Sequence, residues 1–179
     1  KMEIIVMLQA FGTCRESEAL GMPYRNLDLK NNVVIIDQQI YQVSNKWLEG
    51  HSMSDQPRLG ITRVLKTEGS RREVPMSKGI RKWAIEHPMD PDQIVMTTQK
   101  GGLVSVSNYW TNYHNPLMKK LGLKGLFIAK THSLRKYCIS SMKRNGTDDA
   151  TIAMRAGNSV EVITNHYVKM IVDETIHEI

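Results

Sequence analysis

The chain has 179 residues, 41% of them hydrophobic, and a formal net charge of +6 at pH 7. This length fits one domain with a substantial core, and this composition is ordinary for a globular protein, which argues against disorder. No run of residues approaches the roughly 20 apolar positions of a membrane-spanning helix. We therefore expect one domain over residues 1–179 and no membrane partner.

The cysteines and the first residues indicate the cellular compartment. Cys14 and Cys138 lie far apart and lack zinc-type spacing, which favours reduced thiols in a cytosol. Residues 1–4 do not resemble a signal peptide, because an acid interrupts a very short apolar run. The sequence therefore predicts a cytoplasmic protein.

The positive charge is concentrated in two segments. Residues 58–82 carry a surplus of six, from eight Lys or Arg against two acids, and residues 119–144 carry eight more without an acid. The rest of the chain is therefore net negative, at −8. Concentrated positive charge favours a polyanion such as DNA or RNA, although two well-solvated surfaces would give the same pattern.

The first twenty residues predict two helices. Residues 2–10 are apolar nearly all round, which predicts a buried helix, and residues 15–20 restart a helical pattern after Gly12. On this pattern alone, Arg15 either pairs with a nearby acid such as Glu18 or points into a cleft.

The next segment predicts strands. Residues 26–30 and 33–36 indicate a strand pair around a polar turn, and residues 40–43 extend that sheet. Residues 44–60 are poor in pattern and predict a loop.

A basic hairpin is predicted after this loop. Residues 61–66 and 71–75 have strand character and flank a turn that contains glycine. Lys66, Arg71 and Arg72 lie at its tip, where they suit a nucleic acid backbone or keep a sheet edge soluble.

The second half of the chain predicts helices. Residues 76–87 form one with Ser77 as N-cap, residues 94–97 indicate a short strand, and residues 106–120 form an aromatic-rich helix that Pro116 bends. Three short helices follow from residue 131. The helices are separated by two stops, Asn145-Gly146 and Gly157, and by two N-caps, Thr147-Asp148 and Ser159. Residues 168–179 form an amphipathic tail. The predicted class is mixed, mostly α with a small antiparallel β-sheet.

Several kinds of active site lack support. The six histidines form no HxxxH or HExxH pair, and Walker and GxSxG motifs are missing from the sequence. A tyrosine, arginines, a lysine and a histidine in a basic protein instead suit metal-free phosphoryl transfer, in which positioning and charge stabilisation supply most of the rate.

Four blocks of the sequence resemble the tyrosine recombinases of the phage-integrase type, in order and over nearly the whole chain. Residues 12–20 (GTCRESEAL) resemble the block around the first catalytic arginine, and residues 65–75 (LKTEGSRREVP) resemble the hairpin with the catalytic lysine. Residues 132–135 (HSLR) match the HxLR block, and residues 157–167 match the block that ends on the nucleophilic tyrosine. Each block alone is weak, whereas four in this order make a strong resemblance.

The resemblance implies the integrase catalytic-domain fold and site-specific recombination that integrates or excises mobile DNA. Tyr167 would attack a DNA phosphodiester and form a 3′-phosphotyrosyl intermediate, without metal, ATP or another cofactor. Arg15 and Arg135 would clamp the phosphate oxygens, Lys66 would protonate the 5′ leaving oxygen, and His132 would assist proton transfer at the tyrosine.

Asn158 departs from the family pattern, which usually has histidine and sometimes tryptophan at this position. Asparagine can donate a hydrogen bond to a phosphate oxygen but carries neither a proton nor a charge at neutral pH. We expect the chemistry to be retained, with a weakened or redistributed role for Asn158.

The resemblance also implies partners. These are double-stranded DNA, further copies of the chain in a tetramer on DNA, and an accessory directionality protein, in a bacterial or phage-encoded, nucleoid-associated setting. The predicted DNA contacts are Arg63, Arg71, Arg72, Lys130 and Ser133. Such recombinases usually carry an N-terminal DNA-binding domain, so we expect this chain to be an excised catalytic domain.

Two other functions fit the same residues. One is DNA relaxation by a type IB topoisomerase-like enzyme, which shares the residue set but not the compact spacing of the motifs. The other is a non-catalytic DNA-binding relative in which Asn158 marks lost activity.

Overall fold

The computed structural model describes residues 2–51, 57–65, 68–122 and 132–165. Lys66, Lys130, Tyr167 and the tail at 168–179 lie outside these described residues. The described helices are α1 (Met2–Phe11), α2 (Glu16–Leu20), α3 (Asn45–Gly50), α4 (Lys78–Glu86), α5 (Val106–Tyr109), α6 (Asn115–Lys120), α7 (Ser133–Arg144) and α8 (Asp149–Ala156). A 3₁₀ turn spans Tyr24–Asn26, another spans Glu68–Ser70, a π-helix spans Trp110–His114, and residues 160–165 are helical.

The strands form two small antiparallel sheets rather than the single predicted one. They are β1 (Leu27–Asp28), β2 (Val33–Ile36), β3 (Gln39–Gln42), β4 (Leu59–Thr62) and β5 (Arg72–Pro75). One sheet has the order β1-β2-β5, and the other pairs β3 with β4. The mixed, mostly helical class with a small antiparallel sheet is confirmed.

The predicted hairpin between residues 61–66 and 71–75 is wrong, because its two strands join different sheets. β4 pairs with β3 through Ile61 and Ile40, whereas β5 pairs with β2 and sets Val74 opposite Val34. Both of these valines are buried. Burial of β5 against the main core therefore selects a distant partner over the strand across the nearby turn.

Two other predictions along the chain need correction. The predicted loop at 44–60 contains α3 and the start of β4. The predicted strand at 94–97 contains only isolated bridges, which join Ile94 to Pro23 and Thr97 to Leu103.

The predicted helix at 106–120 is divided into α5, the π-helix and α6. Ser105 caps α5, since its hydroxyl accepts from the backbone N–H of Asn108 at 3.1 Å. Pro116 lies in the first turn of α6. Because proline has no N–H, the regular hydrogen-bond ladder is interrupted there, and the wider π-helical turn precedes the interruption.

The main core forms around α1, whose buried face includes Ile4, Ile5 and Leu8. α1 packs against α2 and α4 from the first half of the chain and against α7 from the second half. A second, smaller cluster joins Ile152 and Ala156 of α8 to Ile163. This second cluster holds the last described helical stretch against α8.

The predicted helix ends are observed. Ser77 caps α4, Asp148 caps α8, and the Ser159 hydroxyl accepts from the backbone N–H of Val162 at 3.3 Å. Gly157 ends α8 with φ 60, a conformation that glycine adopts without steric cost. Within the described ranges, no helix combines the length and the apolar character needed to cross a membrane.

Candidate active site

The turn between α1 and α2 directs a backbone carbonyl into the site. Thr13 has φ 56, a region that β-branched residues rarely occupy. Its carbonyl oxygen accepts hydrogen bonds from Arg72, at 3.1 Å, and from Arg135. Backbone strain of about 1–3 kcal/mol is offset here by hydrogen bonds from two charged groups.

Arg15 follows this turn and spans to the C-terminal part of the chain. Its Nη1 donates to Glu18 Oε1 at 2.6 Å and to Ser70 Oγ at 3.3 Å. Its Nη2 donates to the Gly157 carbonyl at 2.9 Å and to Asn158 Oδ1 at 3.3 Å. Arg15 therefore both pairs with an acid and reaches the site, which unites the two alternatives that the sequence left open.

Arg135 reaches the same point from the first turn of α7. Its guanidinium donates to the carbonyl oxygens of Thr13 and Ala156, and to Asn158 Oδ1 at 3.3 Å. Burial, followed by repulsion from Arg15 and Arg72, lowers the pKa of Arg135 to about 10. The group stays charged at neutral pH, so a buried cation is held in place by backbone dipoles.

Asn158 is the point where the two guanidiniums meet. Its Oδ1 accepts from Arg15 and from Arg135, each at 3.3 Å. A guanidinium has donors only, so the amide must turn its oxygen toward both arginines. The amide NH₂ bonds to none of the side chains that the structure describes, and it can donate to a group such as a phosphate oxygen.

Glu18 and Arg72 form a buried ion pair beneath the site. Their side chains are 1% and 3% exposed, and Arg72 Nη2 lies 2.9 Å from Glu18 Oε2. Burial acts to raise the pKa of Glu18, but hydrogen bonding and the charge of Arg72, together with Arg15, lower it overall. Arg72 also donates to the carbonyl oxygens of Ser70 and Arg155, at 2.7 and 2.8 Å.

The bonded cluster carries more positive than negative charge. Of the described side chains that bond to one another here, Arg15, Arg72 and Arg135 are cations and Glu18 is the anion. Holding such a surplus partly out of water is unfavourable unless an anion joins it. The arrangement is therefore suited to binding a phosphate and to stabilising charge that grows on it.

His132 stands at the edge of this cluster, directly before α7. Its backbone has φ 63, and its side chain is exposed. Its backbone N–H donates to Glu16 Oε1 at 3.1 Å. Histidine tolerates the left-handed region better than most residues. His132 is therefore an exposed residue three positions before Arg135, and its backbone is fixed by a contact with α2.

The family model described as the phage integrase family matches residues 2–172. The chain belongs to the phage integrase family. The match covers all four blocks that carry the resemblance in the sequence. A search of curated proteins finds no match to this chain.

Solved structures of a transposon integrase have a similar fold. The Tn1549 transposon integrase in complex with circular intermediate DNA is 19% identical, with a TM-score of 0.68 over 91% of this chain. A variant of that integrase in complex with transposon right end DNA is 16% identical, with a TM-score of 0.69 over 89% of this chain. The chain spans about half of those chains, 53% and 52%. At these identities the likeness establishes the integrase catalytic-domain fold.

The fold of this phage integrase family member brings together three of the predicted catalytic residues. Arg15, Arg135 and Asn158 are joined by hydrogen bonds, and His132 lies at the start of the helix that holds Arg135. Lys66 and Tyr167 lie outside the described residues, so their predicted roles stay predictions.

The predicted DNA contacts separate into two groups. Arg63 and Arg71 are exposed, and Lys130 lies outside the described residues. Arg72 and Ser133 are instead buried, at 7% and 3% exposure. The Arg72 guanidinium is already bonded to Glu18 and three carbonyl groups, which leaves no face for a phosphate. We therefore correct the role of Arg72 to one that supports the site, and remove Ser133 from the DNA-contacting side chains.

The groups that support the arginines were not predicted from the sequence. The period of two along a strand could have predicted that Arg72 is buried. Arg72 and Val74 share the inward face of β5, while Arg71 and Glu73 face solvent. The Thr13 carbonyl gave no comparable signal. Its role depends on a left-handed backbone that residue type alone does not predict for threonine.

Proposed function

We propose that this chain is the catalytic domain of a site-specific DNA recombinase that cuts and rejoins strands through a 3′-phosphotyrosine intermediate on Tyr167. The observation that carries the proposal is the meeting of Arg15 and Arg135 at Asn158 Oδ1, above a buried pair that leaves surplus positive charge. A phosphodiester monoanion gains negative charge as it approaches a phosphorane-like transition state, and this site is built to stabilise that gain.

The proposed reaction needs a proton to leave the phenol and another to reach the leaving group. A free tyrosine has a pKa near 10, so only about one in a thousand is ionised at pH 7. The two guanidiniums favour the phenolate, and in this proposal the imidazole of His132 accepts the proton. The phenolate oxygen bonds to phosphorus, the bond to the 5′ oxygen breaks, and Lys66 protonates that oxygen.

Rejoining reverses these steps. The phosphotyrosine conserves the energy of the phosphodiester, so a 5′-hydroxyl from another strand can attack it without ATP or metal. Paired exchanges between two duplexes require four active sites, which supports a tetramer on DNA. The solved Tn1549 integrase structures contain DNA, which supports double-stranded DNA as the partner proposed here. An accessory directionality protein is part of the same proposal.

The test is covalent trapping of the full-length protein on nicked suicide duplexes drawn from a pool of randomised sequence. An active enzyme gives SDS-resistant protein–DNA complexes, whose sequencing identifies a cleavable site. We expect Tyr167→Phe to abolish trapping while DNA binding persists, and Arg135→Lys to reduce it about 100-fold or more.

Two outcomes would redirect the proposal. DNA binding without any trapping by the wild-type protein would favour a non-catalytic relative. Trapping accompanied by relaxation of supercoiled plasmid, without strand exchange between two sites, would favour topoisomerase-like activity.

A further inference from the structure

The N-terminus of α7 is held by a carboxylate from another helix. An N-cap residue ordinarily has an extended backbone and a side-chain oxygen that accepts from the first turn. His132, the residue before α7, has φ 63 and makes no side-chain cap. Its backbone N–H instead donates to Glu16 Oε1 at 3.1 Å, from the first turn of α2. A helix N-terminus favours a nearby negative charge, so this contact stabilises α7.

Glu16 is buried, at 6% exposure. In the described part of the chain, its carboxylate is in no ion pair with lysine or arginine. A carboxylate out of water is costly unless hydrogen bonds satisfy it, so the contact with His132 matters to both groups. The Glu16 carboxylate also lies near Tyr109 of α5. Burial, followed by the negative charge of Glu16, raises the pKa of Tyr109.

We propose that Glu16 is a positioning residue that fixes His132, and with it the start of α7, relative to Arg15. The inference rests on the proposed function, because His132 is taken as the proton-transfer group. Arg15 and Glu16 are consecutive in the chain. The N-terminus of α2 therefore places Arg15, its N-cap, for the phosphate, and Glu16, its first residue, for the backbone N–H of His132. Glu16 itself touches neither DNA nor the reacting atoms.

The test compares single-turnover cleavage rates on the suicide duplex selected by trapping. Loss of a charge-assisted hydrogen bond predicts that Glu16→Ala cleaves about 30-fold more slowly, with DNA affinity within about twofold of the wild type. Glu16→Gln keeps an oxygen acceptor and should restore the rate to within about threefold. Ser17→Ala is the matched control on the same helix. Its hydroxyl donates to Gln39 at 3.0 Å, so its loss should leave cleavage unchanged.

A double-mutant cycle separates positioning from a general loss of stability. If Glu16 acts through His132, then Glu16→Ala should slow cleavage less than about twofold in a His132→Ala background. Equal slowing in both backgrounds, or a Glu16→Gln variant as slow as Glu16→Ala, overturns the proposal.

An NMR measurement keeps this inference distinct from the proposed function. In the wild type, the His132 amide should be protected from hydrogen exchange, and Glu16→Ala should remove that protection while amides of α1 keep theirs. Lost protection in a protein that traps no DNA would support the contact while the recombinase proposal fails. Unchanged protection in Glu16→Ala would overturn the positioning role whatever the cleavage result.

Discussion

At the scale of single residues, Asn158 holds two arginines together without neutralising their charge. Its oxygen accepts from two cations that would otherwise repel each other. A neutral acceptor holds the arginines together while leaving their positive charge available to a phosphate. A full negative charge at the same position would bind them more strongly and compete with the substrate.

We therefore expect Asn158→Asp to stabilise the fold and inactivate the site. The carboxylate should raise the free energy of unfolding by about 1 kcal/mol, through two charge-assisted hydrogen bonds. Trapping on the suicide duplex should fall about 100-fold, because the developing negative charge meets an acid. Chemical denaturation and the trapping assay measure the two effects.

Gln42→Glu is the control for this prediction, because it adds the same charge at an exposed position of β3. It should change neither quantity appreciably. A destabilised Asn158→Asp variant would contradict the arrangement of both arginines around this side chain.

Glu18 gives the fold an acid-sensitive support. Its pKa is lowered in the folded state, so the unfolded chain binds a proton more readily than the folded one. The stability that Glu18 contributes is fully present above its ordinary pKa of 4.5, and is lost as the pH falls through the lowered folded value.

We expect Glu18→Gln to reduce the free energy of unfolding by about 3 kcal/mol at pH 7, because it leaves Arg72 without a counter-charge. The difference between the two proteins should shrink as the pH is lowered below about 4.5. Urea titrations between pH 3 and pH 7 measure it. A difference that stays constant over this range would show that the carboxylate charge is not what stabilises the pair.

At the scale of elements, the end of α8 is fitted closely against the turn before β5. A Cβ atom added to Gly157 would lie 3.0 Å from both Arg72 Nη1 and the Gly69 carbonyl, at φ 60. Gly157→Ala should therefore cost about 2 kcal/mol or more in unfolding free energy, since strain and crowding act together. It should also slow cleavage, because the Gly157 carbonyl binds Arg15.

Gly50→Ala is the matched control, since an added Cβ at this α3 residue meets nothing within 4 Å. We expect its thermal midpoint to equal or exceed that of the wild type. Equal losses of stability in the two variants would contradict the close fit around Gly157.

Local elements were more predictable from the sequence than their pairing. Ser77, Asp148 and Gly157 act at the positions where their residue types predict caps, because capping depends on a few neighbouring residues. The pairing of β5 with β2 depends on which distant face the core must cover, so a glycine between strand-like runs was misleading. The family motifs identified the arginine pair, whereas the support beneath it depends on contacts between separate elements.

At the scale of the whole molecule, the basic segments place exposed and buried arginines side by side. Arg71 is exposed, whereas Arg72 is buried and bonded to Glu18. Loss of charge at Arg71 should therefore affect DNA binding, and loss of charge at Arg72 should affect stability, although both residues are arginines in the same basic segment.

We expect Arg71→Gln to weaken DNA binding and to reduce the slope of log K against log salt by about 1, because one phosphate contact is lost. Arg72→Gln should lower the free energy of unfolding by about 3–5 kcal/mol and leave that slope unchanged in the folded protein. Fluorescence anisotropy at several salt concentrations, with duplex DNA, distinguishes them. An equal reduction of slope in both variants would return Arg72 to the DNA-contacting set.

The hydrogen bonds of Arg15 reach residues 55 and 143 positions further along the chain. A nascent chain that has not yet emerged as far as Asn158 therefore lacks the contact that joins Arg15 to Arg135. Under the proposed function, a product that stops before this residue would have no assembled site with which to cut DNA.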